Sequence, residues 1–238
     1  MKDLNHIVSL IVKSFPPIHN AGYIFIFISA LATMVFFSFS HFLGTVALII
    51  TAWVIYFFRN PVRIVPQGKG LVVSPADGIV SLIDENISAP EELGLADEKF
   101  NRVSVFLNVF DVHVNRIPIN GKVARLNYRA GKFLSADMDK ASSDNERQSV
   151  VITTEDNKTI ICVQIAGLVA RRILCELQED QVVATGDLYG LIRFGSRVDI
   201  YLPNDIQPQV IVGQRMLGGE TIIADLSANL VRKTGVAK

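Results

Sequence analysis

The sequence is poor in the residues that usually announce a mechanism. Of its 238 residues only two are cysteine, Cys162 and Cys175, both in apolar runs. No metal-ligand spacing links them, so no metal is expected and buried thiols in a reducing compartment are the natural reading. Positive charge shows no excess, 23 Lys and Arg against 23 Asp and Glu, and nothing argues for nucleic acid as a partner. Histidine is scarce. Of the four, His6, His19 and His41 lie in an apolar N-terminal region, which leaves His113 as the one imidazole beyond it. There is no internal repeat, no low-complexity tract and no glycine-rich phosphate loop.

The longest absence is of charge: from Ser14 to Phe58 there is no Asp, Glu, Lys or Arg. A membrane-spanning helix needs about 20 apolar residues, and this run is about twice that. The polar group Ser38, Ser40 and His41 divides it into Ala21–Phe39 and Phe42–Phe58, which predicts two helices with a tight connection, either spanning the bilayer or, the second segment being short, dipping only partway into it. Lipid demands that every backbone group be paired internally, and a helical pair does so. Lys13 precedes the pair and Arg59 and Arg63 follow it, which puts both flanks in the cytoplasm. The run is too long for a cleavable signal peptide, and a second follows it. Ahead of it, Leu4, Ile7, Val8, Ile11, Val12 and Phe15 recur at helical spacing. Residues 1–15 thus read as a surface helix on a membrane or on the domain, ended by Pro16-Pro17. A mean hydropathy of +0.35 agrees with membrane attachment of residues 1–60.

After Pro61 the character changes. Gly70–Ser74, Gly78–Ile83, Val103–Phe110, Gly121–Tyr128, Ser149–Thr154, Thr159–Ile165, Ile192–Phe194, Val198–Leu202 and Gln209–Val212 are short and rich in Val, Ile and Phe, with turn residues between them. Residues 61–238 are therefore predicted to form a β-sandwich or partly closed barrel, a mainly β fold behind an N-terminal helical hairpin. Pro90–Leu95 and Ala136–Ser143 are candidate short helices, and Leu168–Leu177 reads equally as strand or helix.

Several residues could carry chemistry. Gly195-Ser196 joins two apolar segments, and it reads either as a turn or as a reactive bond, a flexible glycine followed by a hydroxyl. Asp77 in Ser-Pro-Ala-Asp-Gly fits a turn, since aspartate bonds its own backbone there. His113 is the only unperturbed group beyond the hairpin suited to proton transfer near neutral pH. Arg147, Arg171 and Arg172 stand beside apolar strands, as solvated or salt-bridged edges or as anion-binding groups. A serine hydrolase is one function class, although Ser196 lacks the Gly-x-Ser-x-Gly elbow. A carrier-like barrel is another, although no Met-Lys pair is present to accept a prosthetic group.

The motifs resemble the phosphatidylserine decarboxylases, in their short bacterial and archaeal form. They are Ser-Pro-Ala-Asp-Gly at 74–78, Asn-Val-Phe-Asp-Val-His-Val-Asn-Arg-Ile-Pro at 108–118 and Gly-Lys-Phe-Leu at 131–134. Asp-Asn-Glu-Arg at 144–147, Ile-Ala-Gly-Leu-Val-Ala-Arg-Arg-Ile at 165–173 and Phe-Gly-Ser-Arg-Val-Asp at 194–199 complete the set. The resemblance covers roughly residues 60–212. It implies a proenzyme cut between Gly195 and Ser196 into a large chain, 1–195, and a small chain, 196–238, which remain together as a heterodimer. Ser196 would be the self-cleavage nucleophile and then the source of a pyruvoyl cofactor, whose ketone forms a Schiff base with the amine of phosphatidylserine. Asp77 matches the family's aspartate of self-cleavage, and His113 the first of two histidines in the longer family type. The second falls on Arg116, which cannot act as a base. Partners implied are the phospholipid bilayer and phosphatidylserine, and Arg147, Arg171 and Arg172 would bind substrate.

Overall fold

The computed structural model describes residues 16–95, 97–131, 144–167, 172–193 and 196–227. The chain divides into two compact units, Met1–Val62 and Arg63–Lys238. The predicted helices at 1–15 and Ala136–Ser143 lie outside the described residues.

In the first unit, one 3-10 turn at Asn20–Gly22 leads into helix α1 (Tyr23–Phe39), and helix α2 (His41–Phe57) follows at once. Only Ser40 separates the two helices. Its extended backbone (φ −160°, ψ 132°) reverses the chain, while its N–H still caps the Phe36 carbonyl at 2.9 Å. Thr33 and Thr51 share a hydroxyl–hydroxyl bond of 2.9 Å across the helices. Each hydroxyl also bonds its own helix four residues back, to Ser29 and Ala47, so no polar group at this contact is left bare. The base is closed by His19 N–H to Phe58 O at 2.8 Å and Asn60 N–H to Pro17 O at 2.6 Å. Asn20–Phe39 has a mean hydropathy of 2.1 and the length to cross a membrane. Phe39 and Phe42, at the tip, are 78% and 75% exposed.

Among the described residues of the second unit, regular structure is nearly all strand. Its long members are β2 (Gly78–Ser88), β3 (Lys99–Leu107), β5 (Gly121–Arg129), β6 (Arg147–Thr153), β7 (Thr159–Ala166) and β11 (Ser196–Pro203). With the short β9 (Val182–Val183) and β12 (Arg215–Met216) they form one antiparallel sheet, in the order β12-β2-β3-β11-β7-β6-β5-β9, curled into a half-barrel. A second sheet holds β4 (Val114–Arg116), β10 (Leu188–Ile192) and β8 (Ile173–Cys175) in the order β4-β10-β8, and β1 (Leu71–Val73) pairs with β13 (Ile222–Asp225).

Strand β11 occupies the middle of the large sheet. Val198, Ile200 and Leu202 on one face join Val103, Val105, Leu107 and Ala166 in the main core. Tyr201 on the other joins Phe100, Val163, Ile165 and Leu93 in a smaller one. Burial on both faces explains why these strands read as near-continuous apolar runs. Two expectations are corrected. Gln209–Val212 is not a strand: Pro208 carries no N–H to give a ladder, and the Gln209 N–H donates to Ile223 O at 2.7 Å while Val210 fills the core. Pro90–Leu95 shrinks to one 3-10 turn, Glu91–Leu93, stopped by Gly94 in a left-handed conformation (φ 64°). The ambiguous Leu168–Leu177 stretch contains β8, a strand.

The small sheet can lie close to the large one because residue 190 has no side chain. A Cβ there would stand 2.1 Å from Leu174 O and 3.0 Å from the Gln164 amide nitrogen. The backbone carbonyl cannot yield without breaking the β10–β8 ladder. Gly190→Ala is therefore expected to destabilise the β unit by about 1–3 kcal/mol, the usual range for overpacking, as read by urea denaturation.

Candidate active site

One end of the large sheet brings Ser196 and Asp77 together. Ser196 opens β11 opposite Leu107 at the end of β3 and Ala166 at the end of β7. Ala166 N–H in turn reaches Glu146 O, just before β6, at 2.9 Å. On the other side of β3, β2 begins at Gly78, with Ile79 opposite Phe106. Gly78 has φ 153°, and a Cβ on it would strike the Phe106 carbonyl at 2.2 Å, so glycine is required for this approach. Asp77 therefore sits at the same end of the sheet as Ser196, about two strand spacings or ~10 Å away along the hydrogen-bonding direction.

Ser196 is fully buried, and its Oγ has no hydrogen-bond partner among the described residues. A buried hydroxyl left bare costs about 1–3 kcal/mol, so it calls for an explanation. Gly195 and Arg171 lie outside the described residues.

Asp77 is 6% exposed. Arg63 Nη2 reaches its two oxygens at 2.8 and 2.6 Å, and the Gly218 N–H donates to Oδ1 at 2.8 Å. Burial raises the carboxyl above its ordinary value, and Asp111 nearby adds to the rise. Together they outweigh the lowering by Arg63 and Gly218. Arg116 donates to Gly186 O at 2.9 Å, and burial and the Arg63 guanidinium both lower its pKa. It stands beside the Arg63–Asp77 pair as a cation.

His113 is also fully buried. Its Nδ1 lies 3.0 Å from the Asp111 carbonyl, to which a ring nitrogen can only donate. The neutral ring therefore carries its lone pair on Nε2, a tautomer inferred from this bond. The His113 carbonyl accepts from Ile192 N–H at 3.3 Å, and Arg193 N–H donates to Arg172 O at 3.3 Å. These bonds tie His113, Arg172 and Arg193 to the last residues before the Gly195-Ser196 junction. Arg193 is a member that sequence reasoning missed. Burial and the neighbouring Arg172 lower its pKa, the mark of two guanidinium groups held close together. Its signal was a charge three positions before the serine in an otherwise apolar segment.

Arg147 is placed elsewhere. It pairs in register with Ile165, which also faces Arg197, whereas Ser196 shares the opposite face with Ala166. Its Nε and Nη2 each meet a Glu92 oxygen at 2.6 Å. On the Ser196 face, two residues along β7, Gln164 Nε2 donates to Asn115 Oδ1 at 2.8 Å, both side chains fully buried. Neither was foreseen.

The family model described as phosphatidylserine decarboxylase matches residues 50–224. The chain belongs to the phosphatidylserine decarboxylase family. A phosphatidylserine decarboxylase proenzyme of Cereibacter sphaeroides is 51% identical over 222 residues, 93% of this chain and 95% of that one. Proenzymes of the same name from Rickettsia akari and Rickettsia prowazekii are 56% identical over 211 residues, 89% of this chain and 91% of theirs. The phosphatidylserine decarboxylase match spans every candidate residue above, so the hydrolase and carrier readings give way to a decarboxylase family.

The Arg147–Glu92 pair gives a pH signature. Burial alone would raise the Glu92 carboxyl, but Arg147, its own backbone N–H and Arg129 together outweigh it and hold the group below its ordinary value of 4.5. A depressed folded pKa contributes stability that is fully present above 4.5 and is lost as pH falls through the folded value. Thermal melts from pH 6 downward should show this acid-side loss in the wild type, and Glu92→Gln should flatten it.

Proposed function

We propose that the chain is a proenzyme that cuts itself between Gly195 and Ser196. Through the pyruvoyl group made from Ser196 it then converts phosphatidylserine to phosphatidylethanolamine and carbon dioxide. The observation that carries this reading is the buried, unpartnered Ser196 hydroxyl at the head of a central strand, in a chain of this family. A site that makes its cofactor from its own backbone needs no separate cradle, and Ser196 is already enclosed where the group would stand.

Self-cleavage begins with attack of Ser196 Oγ on the Gly195 carbonyl. The C–O bond forms, the C–N bond breaks and the freed nitrogen takes a proton. Loss of the Ser196 α-proton and departure of the Gly195 carboxylate then leave a dehydroalanine, and water replaces its nitrogen as ammonia leaves. The ladder on both sides of β11 holds the nucleophile still, and a well-oriented intramolecular attack gains an effective concentration of up to ~10⁵–10⁸ M. Asp77, with its raised pKa, serves proton transfer in self-cleavage, and Arg63 and the Gly218 N–H hold it in place.

The pyruvoyl group supplies the electron sink that allows carbon dioxide to leave. The chain's own residues do the rest. His113 presents Nε2 as the site where a proton is held and passed to substrate carbon. Arg172 and Arg193 take the lipid phosphate, as paired guanidinium groups suit its geometry. Burial of Ser196 excludes bulk water. The small chain keeps β11, β12 and β13, and the three-strand contact of β11 with β3 and β7 holds it to the large chain. The apolar helical pair attaches the protein to the cell membrane, with the β unit on the cytoplasmic side as the basic flanks require.

A denaturing gel of purified protein tests the reading. Two fragments are expected, the smaller one refractory to Edman sequencing, and Ser196→Ala should run as one inactive chain. Asp77→Asn should accumulate uncut proenzyme. His113→Ala should still be cut and should lose turnover. A fully active single chain, or a small fragment with a free N-terminal serine, would overturn the proposal. Arg193→Ala should raise KM for phosphatidylserine roughly tenfold with little change in kcat, the pattern of lost uniform binding.

A further inference from the structure

The chain leaving β3 does something unusual for a surface loop. Leu107 is the partner of Ser196, and the next four residues, Asn108–Asp111, form a tight turn that returns the chain toward His113. Asp111 N–H donates to Asn108 O at 2.9 Å. The Asn108 N–H donates to Asp111 Oδ2 at 2.9 Å, and Phe110 N–H donates to Asn108 Oδ1 at 2.8 Å. Arg215 Nη2 locks the other Asp111 oxygen at 2.5 Å. Asn and Asp here are turn-forming residues used at both ends. These bonds make a rigid turn, and what it presents outward is apolar: Phe110 is 61% exposed and Val109 37%.

The neighbourhood continues the pattern. Ile79 and Leu217, on either side of the β2–β12 pairing, are each 39% exposed. The carboxylates nearby are turned inward and neutralised, Asp111 by Arg215 and Asp77 by Arg63. The Arg215 side chain remains 58% exposed at the rim, and Arg172 is exposed at the same end of the sheet. Apolar tips rimmed by cations, with no outward acid among these groups, complement an anionic lipid surface. Interfacial binding grows with apolar area inserted and with attraction to anionic headgroups.

We propose that the Asn108–Asp111 turn is a membrane-inserting lip of the β unit, its partner the phospholipid surface that carries the substrate. The inference rests on the lipid-decarboxylase reading above and adds a site to it. Because the lip runs directly from the partner of Ser196 to His113, its insertion brings the reacting row to the headgroup layer. A diacyl lipid then need not leave the bilayer entirely. Phe110 is the wedge, and Arg215 fixes the turn that presents it.

The full-length protein tests this with two measurements. Trp53 is the only tryptophan, so Trp53→Phe combined with Phe110→Trp reports on position 110 alone. In vesicles of brominated phosphatidylcholine and phosphatidylserine, emission from position 110 should be strongly quenched and shielded from aqueous acrylamide. Separately, Phe110→Asp should lower the rate on vesicle-borne phosphatidylserine about tenfold, the order expected for losing one partly inserted aromatic side chain. Its rate on short-chain, monomeric phosphatidylserine should equal that of the wild type. Acrylamide-accessible, unquenched emission would overturn the lip, as would equal loss on both substrates or no loss on vesicles. A wild type inactive on both substrates would instead refute the decarboxylase reading, and the quenching result would still decide the lip.

Discussion

The structure depends on the two-sided pairing of β11. A residue at the head of an edge strand has one backbone neighbour and freedom on the other side. Ser196 has Leu107 on one side and Ala166 on the other, and its strand continues into a ladder reaching Pro203. Asp77 and His113 are both placed relative to that strand through the main chain. Asp77 is set by the start of β2 against β3, and His113 by its carbonyl bond to Ile192. Orientation is thus built into the sheet, which is where a reaction relying on intramolecular approach needs it.

The opposite face of the same strands carries an unusual density of buried charge. Arg197 and Asp199 flank Val198 and are almost wholly enclosed. They pair at 2.8 Å, and Asp199 also faces Arg102 at 3.6 Å, which itself binds Asp84. Buried ion pairs add little net stability because desolvation offsets the attraction, yet removing one partner is costly. Their consequence is selectivity of register. A one-residue slip of β11 would carry Arg197 into the apolar core and Ser196 onto the charged face. The charges therefore help to keep the serine on the side where Gln164 and Asn115 lie.

The sequence was legible in several long strands but not in all: β2 runs five residues beyond its predicted end and β3 begins four before its predicted start. β5, β6 and β7 match their predicted ranges within one or two residues at either end, because six or more residues display burial clearly. The short β4, β9, β12 and β13 escaped and β8 was left open between strand and helix, since two to four residues cannot show alternation. Val103–Phe110 was drawn three residues too far at its C-terminal end. Val109 and Phe110 are as apolar as any strand residue, but Asn108 and Asp111 close a turn around them. Gln209–Val212 misled for the reverse reason: Val210 is apolar because it fills the core without joining a ladder. The candidate site was drawn from its motifs at Asp77, His113 and Ser196. The Glu92 partner of Arg147 and the proximity of Arg193 to Arg172 are tertiary facts, made by pairings across tens of residues that no local window contains.

The Thr33–Thr51 bond and the single-residue link at Ser40 make the N-terminal pair a closed unit, whereas β11 makes the β unit its own inspector. The bond proposed for self-cleavage precedes a strand whose neighbours come from positions about 30 and 90 residues earlier in the chain. Those neighbours must already have assembled in register before the serine is held in place. An unfolded or slipped chain would remain whole and inert. Self-cleavage of the kind proposed would therefore double as a record of successful folding, written irreversibly into the covalent structure, and cells holding the protein would carry active sites only on chains that had passed.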